Sequence, residues 1–302
     1  MAEHMSQSEL DYPFRLLEYV NGFRVSKAIF SACELGVFDL LLKSQEPLSA
    51  ERVARELSAN VDGTERLLDA LVGLEILEVE TTDGKALYSS TDVANLYLAK
   101  GSSKSLHDMI IYQSQTIYPL WNNLLDAVRE GKNQNEKTFG HLPEDFFQVI
   151  YRSEEEMLKF MGLMNNSWIL DGHDIATAFS LSCFQTIVDL GGDFFSGELP
   201  DADLYVLARV IHDWPEEKCL PLLKKIYDTC KPGGGTLVVE AMLFENRRGP
   251  VMAQIFSLNM LVQTEGRERP PSEYVHMLNE AGFQNVQVCR TGKSYDAILA
   301  IK

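Results

Sequence analysis

LYVLARVIHDWPEEKCLPLLKKIYDTCKPGGGTLVVE, the run from Leu204 to Glu240, decides the fold. Leu204 to Val210 and Thr236 to Glu240 are short, apolar and β-branched, the composition of buried strands. Between them, Leu220, Leu223, Ile226 and Tyr227 fall on one face of a helix from Glu216 to Cys230. Lys231-Pro232-Gly233-Gly234-Gly235 ends that helix, because proline and glycine do not continue it. A strand, a helix and a strand in this order make a parallel pair joined by a right-handed crossover. The segment therefore belongs to an α/β sheet.

Upstream of this unit, Thr186 to Leu190 is a further candidate strand ending on Gly191-Gly192. Downstream, Tyr274 to Ala281 reads as a helix, and Asn285 to Arg290 and Tyr295 to Ile301, parted by Gly292, read as a terminal hairpin. The N-terminal part has a different character. Leu16, Val20, Phe23, Ile29, Phe30, Leu35, Phe38 and Leu41 recur at helical intervals between Tyr12 and Leu42, with Gly36 as a helix end. Ser49 can cap a helix carrying Val53 and Leu57, and Asp62 with Glu65 forms an acidic start for Leu67, Leu68, Leu71 and Leu74. A hairpin follows, Leu77 to Thr81 and Lys85 to Ser89 around Asp83-Gly84. Helix, helix, hairpin is the order of a winged helix.

A winged helix raises the question of DNA, and charge answers it. From Ala50 to Ile76 six acids face three bases, and the whole chain sets 44 acids against 27 bases for a net charge of -17. A phosphate-binding surface would be basic. The module is expected to serve packing or dimerisation, with no nucleic-acid or membrane partner. Five scattered cysteines without a C-x-x-C spacing argue for reduced thiols, and the first ten residues lack the basic flank and apolar run of a signal peptide. A cytoplasmic location is expected. His4, His107, His141, His173 and His276 show no metal-ligand spacing, so no metal is expected.

After Gly101-Ser102-Ser103 the chain turns helical again, and a long helix is predicted over Glu144 to Leu170, with Tyr151 and Trp168 as pocket candidates. Three parts result: residues 1–100 as a winged-helix-like dimerisation domain, 101–180 as a helical linker and substrate-lining region, and 181–302 as a Rossmann-like sheet domain shortened after Gly192.

Five motifs carry a resemblance across nearly the whole chain. They are Ile187-Val188-Asp189-Leu190-Gly191-Gly192, Asp193-Phe194-Phe195, Leu207-Ala208-Arg209-Val210-Ile211-His212-Asp213-Trp214, Lys231-Pro232-Gly233-Gly234-Gly235, and Thr264-Glu265-Gly266-Arg267-Glu268-Arg269. In this order they resemble the metal-independent, class I S-adenosylmethionine-dependent O-methyltransferases of the caffeate and hydroxyindole type. Leu258 to Gly266 is similar to the acetylserotonin branch in particular. The resemblance implies an α/β architecture with a helical dimerisation domain, a homodimer, S-adenosylmethionine as cofactor, and a small hydroxyindole acceptor such as N-acetylserotonin, on the route to melatonin.

His212 is the candidate base, placed just beyond a strand's carboxyl end, where open α/β sheets bind ligands. At an ordinary pKa of ~6.5 it would fall about 3.5 units short of a phenolic hydroxyl at ~10, roughly 5 kcal/mol. Proton removal is therefore expected to accompany attack. By resemblance, Glu240 and Glu268 hold the imidazole, and Asp213 orients acceptor or cofactor. Asn259 and Gln263, four residues apart on a helix, would face one way and could bond an acceptor amide. The resemblance assigns cofactor contacts to Tyr151, Trp168, Asp189, Gly191, Gly192, Asp193, Phe194 and Arg209.

One departure stands out. After Gly191-Gly192 the next residues match what the family carries after its third strand, so two strand-and-helix units, on the order of 40 residues, are missing. No acid is left for the ribose hydroxyls. The connection from Leu190 to Asp203 has 14 residues, too rich in Gly, Pro and acids for a crossover helix, yet reaching ~46 Å extended against roughly 17 Å along a strand. The expected sheet has lost two strands from one side, with its first strand left as an edge. Weakened cofactor binding follows, and an alternative role as an impaired, shortened isoform that pairs with intact subunits.

Overall fold

The computed structural model describes residues 12–82, 84–140, 153–191, 194–195 and 197–302. The chain forms two compact units, one of Met1–Thr116 with Leu158–Asn166, the other of Ile117–Met157 with Ser167–Lys302.

The first unit opens with helix α1 (Phe14–Leu35), which stops at Gly36, whose φ of +81° suits glycine. Helices α2 (Val37–Ser44), α3 (Ala50–Glu56) and α4 (Val61–Gly73) follow. Ser49 caps α3 by accepting from the Arg52 N–H. The cap of α4 is Asn60, whose side chain accepts from the Gly63 N–H at 3.0 Å, and not the Asp62–Glu65 pair. Asp62 lies within the first turn and pairs with Arg66 at 3.0 Å, because a side chain reaches the orphan N–H groups only from the residue before the helix. Strands β1 (Leu77–Thr82) and β2 (Lys85–Ser90) pair antiparallel, Leu77 opposite Ser90. Phe38, Val53, Leu68, Leu71, Leu77 and Tyr88 make the core of this winged-helix arrangement. Short helices α5 (Asp92–Tyr97) and α6 (His107–Tyr112) follow. Along α1 only Ala32 and Cys33 are buried, and Phe14, Leu16, Tyr19, Val20 and Phe23 are exposed.

The second unit begins with α7 (Tyr118–Trp121), α8 (Leu124–Glu130) and α9 (Asn135–Phe139). Helix α10 (Glu154–Thr177), whose Leu158–Asn166 stretch is counted with the first unit, is capped by Ser153, which accepts from the Glu156 N–H at 3.2 Å. It runs past Leu170, where the sequence placed its end, to Thr177. Tyr151 lies outside the described residues.

The sheet of this unit has five strands in the order β3-β4-β5-β7-β6: β3 (Ile187–Asp189), β4 (Leu204–Ala208), β5 (Gly235–Glu240), β6 (Gln284–Cys289) and β7 (Asp296–Ile301). β3, β4 and β5 run parallel, and β7 is antiparallel to β5 and β6. β5 is buried along its whole length, as expected of a central strand covered on both faces. Helix α11 (Glu216–Thr229) joins β4 to β5, while α12 (Val251–Gln263) and α13 (Pro271–Ala281) follow β5. Gly235 is required where β7 passes, since a Cβ there would stand 2.3 Å from the Ala300 carbonyl oxygen.

The sheet is shortened in the way the connection length allowed. β3 is the edge and bonds β4 directly, Ile187 opposite Leu204. No helix lies between them among the described residues. Asp203 fastens the start of the pair: its carboxylate accepts the N–H groups of Gln185 and Thr186 at 2.9 Å each. Lys225 on α11 donates to the carbonyls of Phe194, Phe195 and Gly197, tying the short connection down. Ile187 on this edge strand is 49% exposed, and an unprotected edge promotes association between chains.

Candidate active site

The site sits at the carboxyl ends of β4 and β5. After Ala208 the chain leaves the sheet through Arg209, whose φ of +58° is left-handed and costs a side-chain-bearing residue roughly 1–2 kcal/mol. Its N–H still reaches the Val239 carbonyl at 2.9 Å. The guanidinium lies over the rings of Trp168 and Tyr295, 5.7 and 5.4 Å from their centroids. A 3₁₀ turn, Ile211–Asp213, then presents His212.

This turn is held from three sides. Glu240, at the end of β5 and fully buried, accepts the N–H groups of Val210, Ile211 and His212 on Oε1, at 3.2, 2.8 and 3.3 Å. Arg269, also buried, donates to the carbonyls of Ile211 at 2.9 Å and Trp214 at 2.7 Å. Gly266 lies against the backbone between them, where a Cβ would meet the His212 oxygen at 2.1 Å. Donors and acceptors of the turn are thus satisfied by ionised side chains, the stronger kind of hydrogen bond. Its position is fixed before anything binds.

His212 Nδ1 donates to Glu268 Oε1 at 2.8 Å, and Glu240 Oε2 stands 3.3 Å from the same nitrogen. In the neutral imidazole that contact puts the proton on Nδ1 and leaves Nε2 as the acceptor. Asp213 Oδ1 lies 3.6 Å from Nε2, an electrostatic neighbour beyond good hydrogen-bond length. Burial by itself would lower the imidazolium pKa, but Glu240, Glu268 and Asp213 outweigh it and raise the pKa to about 10. Burial raises Asp213 to about 6 and Glu240 to about 7, each partly countered by the imidazolium. At neutral pH such an imidazole is held in its protonated form, and Nε2 becomes free to accept a proton only as the pH rises toward 10.

On α12, Asn259 Nδ2 donates to Gln263 Oε1 at 3.0 Å, and Trp121 Nε1 donates to Asn259 Oδ1 at 2.9 Å. The two amides share one face, as their spacing requires, and orient each other. Asp189 ends β3, Gly191 follows it, and Phe194 is buried in the connection. Gly192 and Asp193 fall outside the described residues. Phe195 packs edge-on against Trp214 at 5.1 Å. The reading of residues alone did not single out Arg269, Gly266, Trp121 or Tyr295. Arg269 was quoted within a motif, but a buried arginine in a polar run looks like any surface arginine until its carbonyl partners are known.

An open sheet whose strand ends present a carboxylate-held histidine, with aromatic rings and a paired amide face in the same unit, suits proton removal from a small organic acceptor. Residues 121–193 and 190–284 match the O-methyltransferase domain family, and residues 17–100 match the O-methyltransferase dimerisation domain. The chain belongs to the O-methyltransferase family. It is 46% identical over 344 residues to an acetylserotonin O-methyltransferase of Gallus gallus, covering 98% of this chain and 99% of that one. The similarity to the Homo sapiens acetylserotonin O-methyltransferase is 45% over 346 residues, covering 99% and 100%. The solved structure of human N-acetylserotonin methyltransferase in complex with SAM superposes with a TM-score of 0.94 at 44% identity, covering 100% of this chain and 99% of that one. No helix among the described residues is long and apolar enough to cross a membrane.

The comparisons also locate the missing segment. An alignment of 344 positions with a 302-residue chain leaves at least 42 positions without a residue of this protein. The domain match breaks where the first piece ends at residue 193 and the second begins at 190. That is the connection after β3.

Because the raised pKa values of His212, Glu240 and Asp213 mean tighter proton binding in the folded state, stability must fall as pH rises. The histidine contribution is complete below its ordinary 6.5 and is lost by about 10. The urea midpoint should therefore decline from pH 6.5 to 10. In Glu268→Gln, with one carboxylate gone, the imidazole should titrate at lower pH by NMR and the decline should end earlier. A His212 imidazole titrating near 6.5 in the unmodified chain would contradict the carboxylate cage.

Proposed function

We propose that this chain carries the acceptor half of a S-adenosylmethionine-dependent O-methyltransferase for a hydroxyindole such as N-acetylserotonin, with His212 as general base. The observation that supports this most directly is the Nδ1 contact to Glu268 at 2.8 Å, which leaves Nε2 as the acceptor. Starting from the neutral imidazole, Nε2 takes the proton of the acceptor hydroxyl as that oxygen is methylated, and Glu268 and Glu240 stabilise the imidazolium that forms. Asp213, beside Nε2, orients the hydroxyl. Asn259 and Gln263 bond the amide of the acceptor side chain, which selects an acetylated amine over a free one.

The relative that the structure resembles at a TM-score of 0.94 is in complex with SAM, and the same cofactor is proposed here. It supplies a methyl already activated by a sulfonium. The residues present fit part of it: the ring faces of Trp168 and Tyr295 already hold a cation, the Arg209 guanidinium, and Asp189, Gly191 and Phe194 stand at the end of β3. Tyr151, Gly192 and Asp193 belong to the same proposed set. The ribose is where the fit fails, because the segment that should bring its acid is not in the chain.

Losing that acid removes charge-assisted hydrogen bonds of about 1.5–3 kcal/mol, and losing the helix behind the glycine turn removes roughly 0.3–2 kcal/mol of dipole stabilisation. A loss near ~4 kcal/mol weakens binding about a thousand-fold. This favours a second reading beside the first: an impaired, shortened isoform acting by pairing with intact subunits. The exposed apolar stripe of α1, within the matched dimerisation domain, supports pairing in either case. The winged-helix-like part at residues 1–100 is assigned to dimerisation, 101–180 to lining the acceptor pocket and 181–302 to the chemistry, in a soluble cytoplasmic homodimer.

Titration calorimetry with S-adenosylmethionine should give binding about a thousand-fold weaker for the 302-residue chain than for a version with the segment restored; equal micromolar binding would refute the account of the gap. In the restored version, His212→Ala should lower turnover by about two to four orders of magnitude and leave acceptor binding within a few fold. Unchanged turnover removes His212 from the mechanism. Light scattering should give a mass near twice 34.0 kDa, and a monomer at micromolar concentration would reject the pairing.

A further inference from the structure

The cage around His212 has the donor set of a zinc site. We propose that His212 Nδ1, Glu240 Oε2 and Glu268 Oε1 bind one divalent ion of the zinc class, which displaces the proton between them and shuts off the base. The three groups converge on one point, their ligand atoms all lying within 4.8 Å of one another. Nδ1 is 2.8 Å from Glu268 Oε1 and 3.3 Å from Glu240 Oε2. Tetrahedral zinc with Zn–N and Zn–O bonds near 2.0–2.2 Å sets its ligands about 3.3 Å apart, close to the 3.3 Å between Nδ1 and Glu240 Oε2 and about half an ångström wider than the Glu268 contact.

A second observation points to a cation. Glu240 Oε2 and Glu268 Oε2 are fully buried and accept no hydrogen bond among the described residues, and Glu240 Oε2 is aimed at the ring nitrogen. Buried carboxylate oxygens without donors are costly unless cationic charge offsets them, and here one imidazolium faces two carboxylates. Glu240 Oε1 is engaged by three backbone N–H groups, which fix that carboxylate's position, and Glu268 Oε1 holds the proton on Nδ1 that the ion would displace. Imidazole with two carboxylates in a confined space favours zinc or cobalt over magnesium or calcium, which prefer six or more oxygens.

The consequence for activity rests on the reading of His212 as base. An imidazole that coordinates through Nδ1 keeps its only proton on Nε2. It can donate there but cannot accept.

The test is titration calorimetry of the 302-residue chain with zinc chloride in a non-coordinating buffer. Visible spectroscopy with cobalt(II) runs beside it, since cobalt(II) reports tetrahedral nitrogen and oxygen ligation by intense d–d bands. One equivalent should bind, with those bands, and His212→Ala and Glu268→Gln should each weaken binding by at least about ten-fold, the cost of disturbing even a secondary partner of a metal site. An exposed second cluster, Glu216, His276 and Glu280, serves as the comparison; His276→Ala should leave the binding unchanged. The inference is overturned if no saturable binding occurs, if cobalt gives only weak octahedral bands, or if His276→Ala abolishes binding while His212→Ala does not. Should a cage variant fail to fold, the cobalt spectrum of the unmodified chain with and without His276→Ala still decides. In the restored chain, zinc should inhibit turnover and a chelator should reverse it. Binding without inhibition would refute the shut-off alone, while the His212→Ala turnover measurement judges the base independently.

Discussion

Everything at the active end of this protein depends on one buried carboxylate, that of Glu240. It closes the central strand β5 and takes three consecutive backbone N–H groups from the segment that leaves β4. Those groups have no strand or helix partner of their own, so an apolar residue here would strand three donors in the interior at about 1–3 kcal/mol each. The same carboxylate sets the electrostatics of His212. Structure and chemistry therefore share one residue, which separates its two oxygens: Oε1 holds the backbone and Oε2 faces the ring.

Arg269 supplies the opposite half of this arrangement by taking the carbonyls on either side of His212. A histidine inside a ring of acids would drift in protonation and position if its backbone were free. Here the turn is braced by a carboxylate on its N–H side and a guanidinium on its C=O side. The imidazolium that the surrounding carboxylates favour is thereby held in one position.

The opposite edge of the sheet shows how little a parallel α/β fold requires of its periphery. In the relatives' alignment at least 42 positions have no counterpart here, yet β3 pairs with β4 in register. The reason is geometric: the two strands are neighbours, and the short connection is clasped by Asp203 at the strand start and by Lys225 across the loop. What the shortening leaves is β3 as an edge strand with Ile187 half exposed. It does not reach the Glu240–Arg269 brace, which rests on β4, β5 and the segment after α12.

The amino-acid sequence by itself determined the α/β unit from Leu204 to Glu240, the winged-helix order with an acidic surface, the family, and the place where a segment is absent. These are local or linear properties: strand and helix periods, a stop at Lys231-Pro232-Gly233, charge counts, motifs in order. The family resemblance also marked His212, Glu240 and Glu268 as one set, although they lie far apart in the chain. Only the tertiary structure decided which carboxylate oxygen meets Nδ1, that Glu240 holds a backbone turn as well as a side chain, and that Arg269 is buried. It also moved the cap of α4 to Asn60 and the end of α10 to Thr177. Each of these turns on distances between residues tens of positions apart, or on which of several polar neighbours is within reach. Periodicity and composition carry no information about such distances.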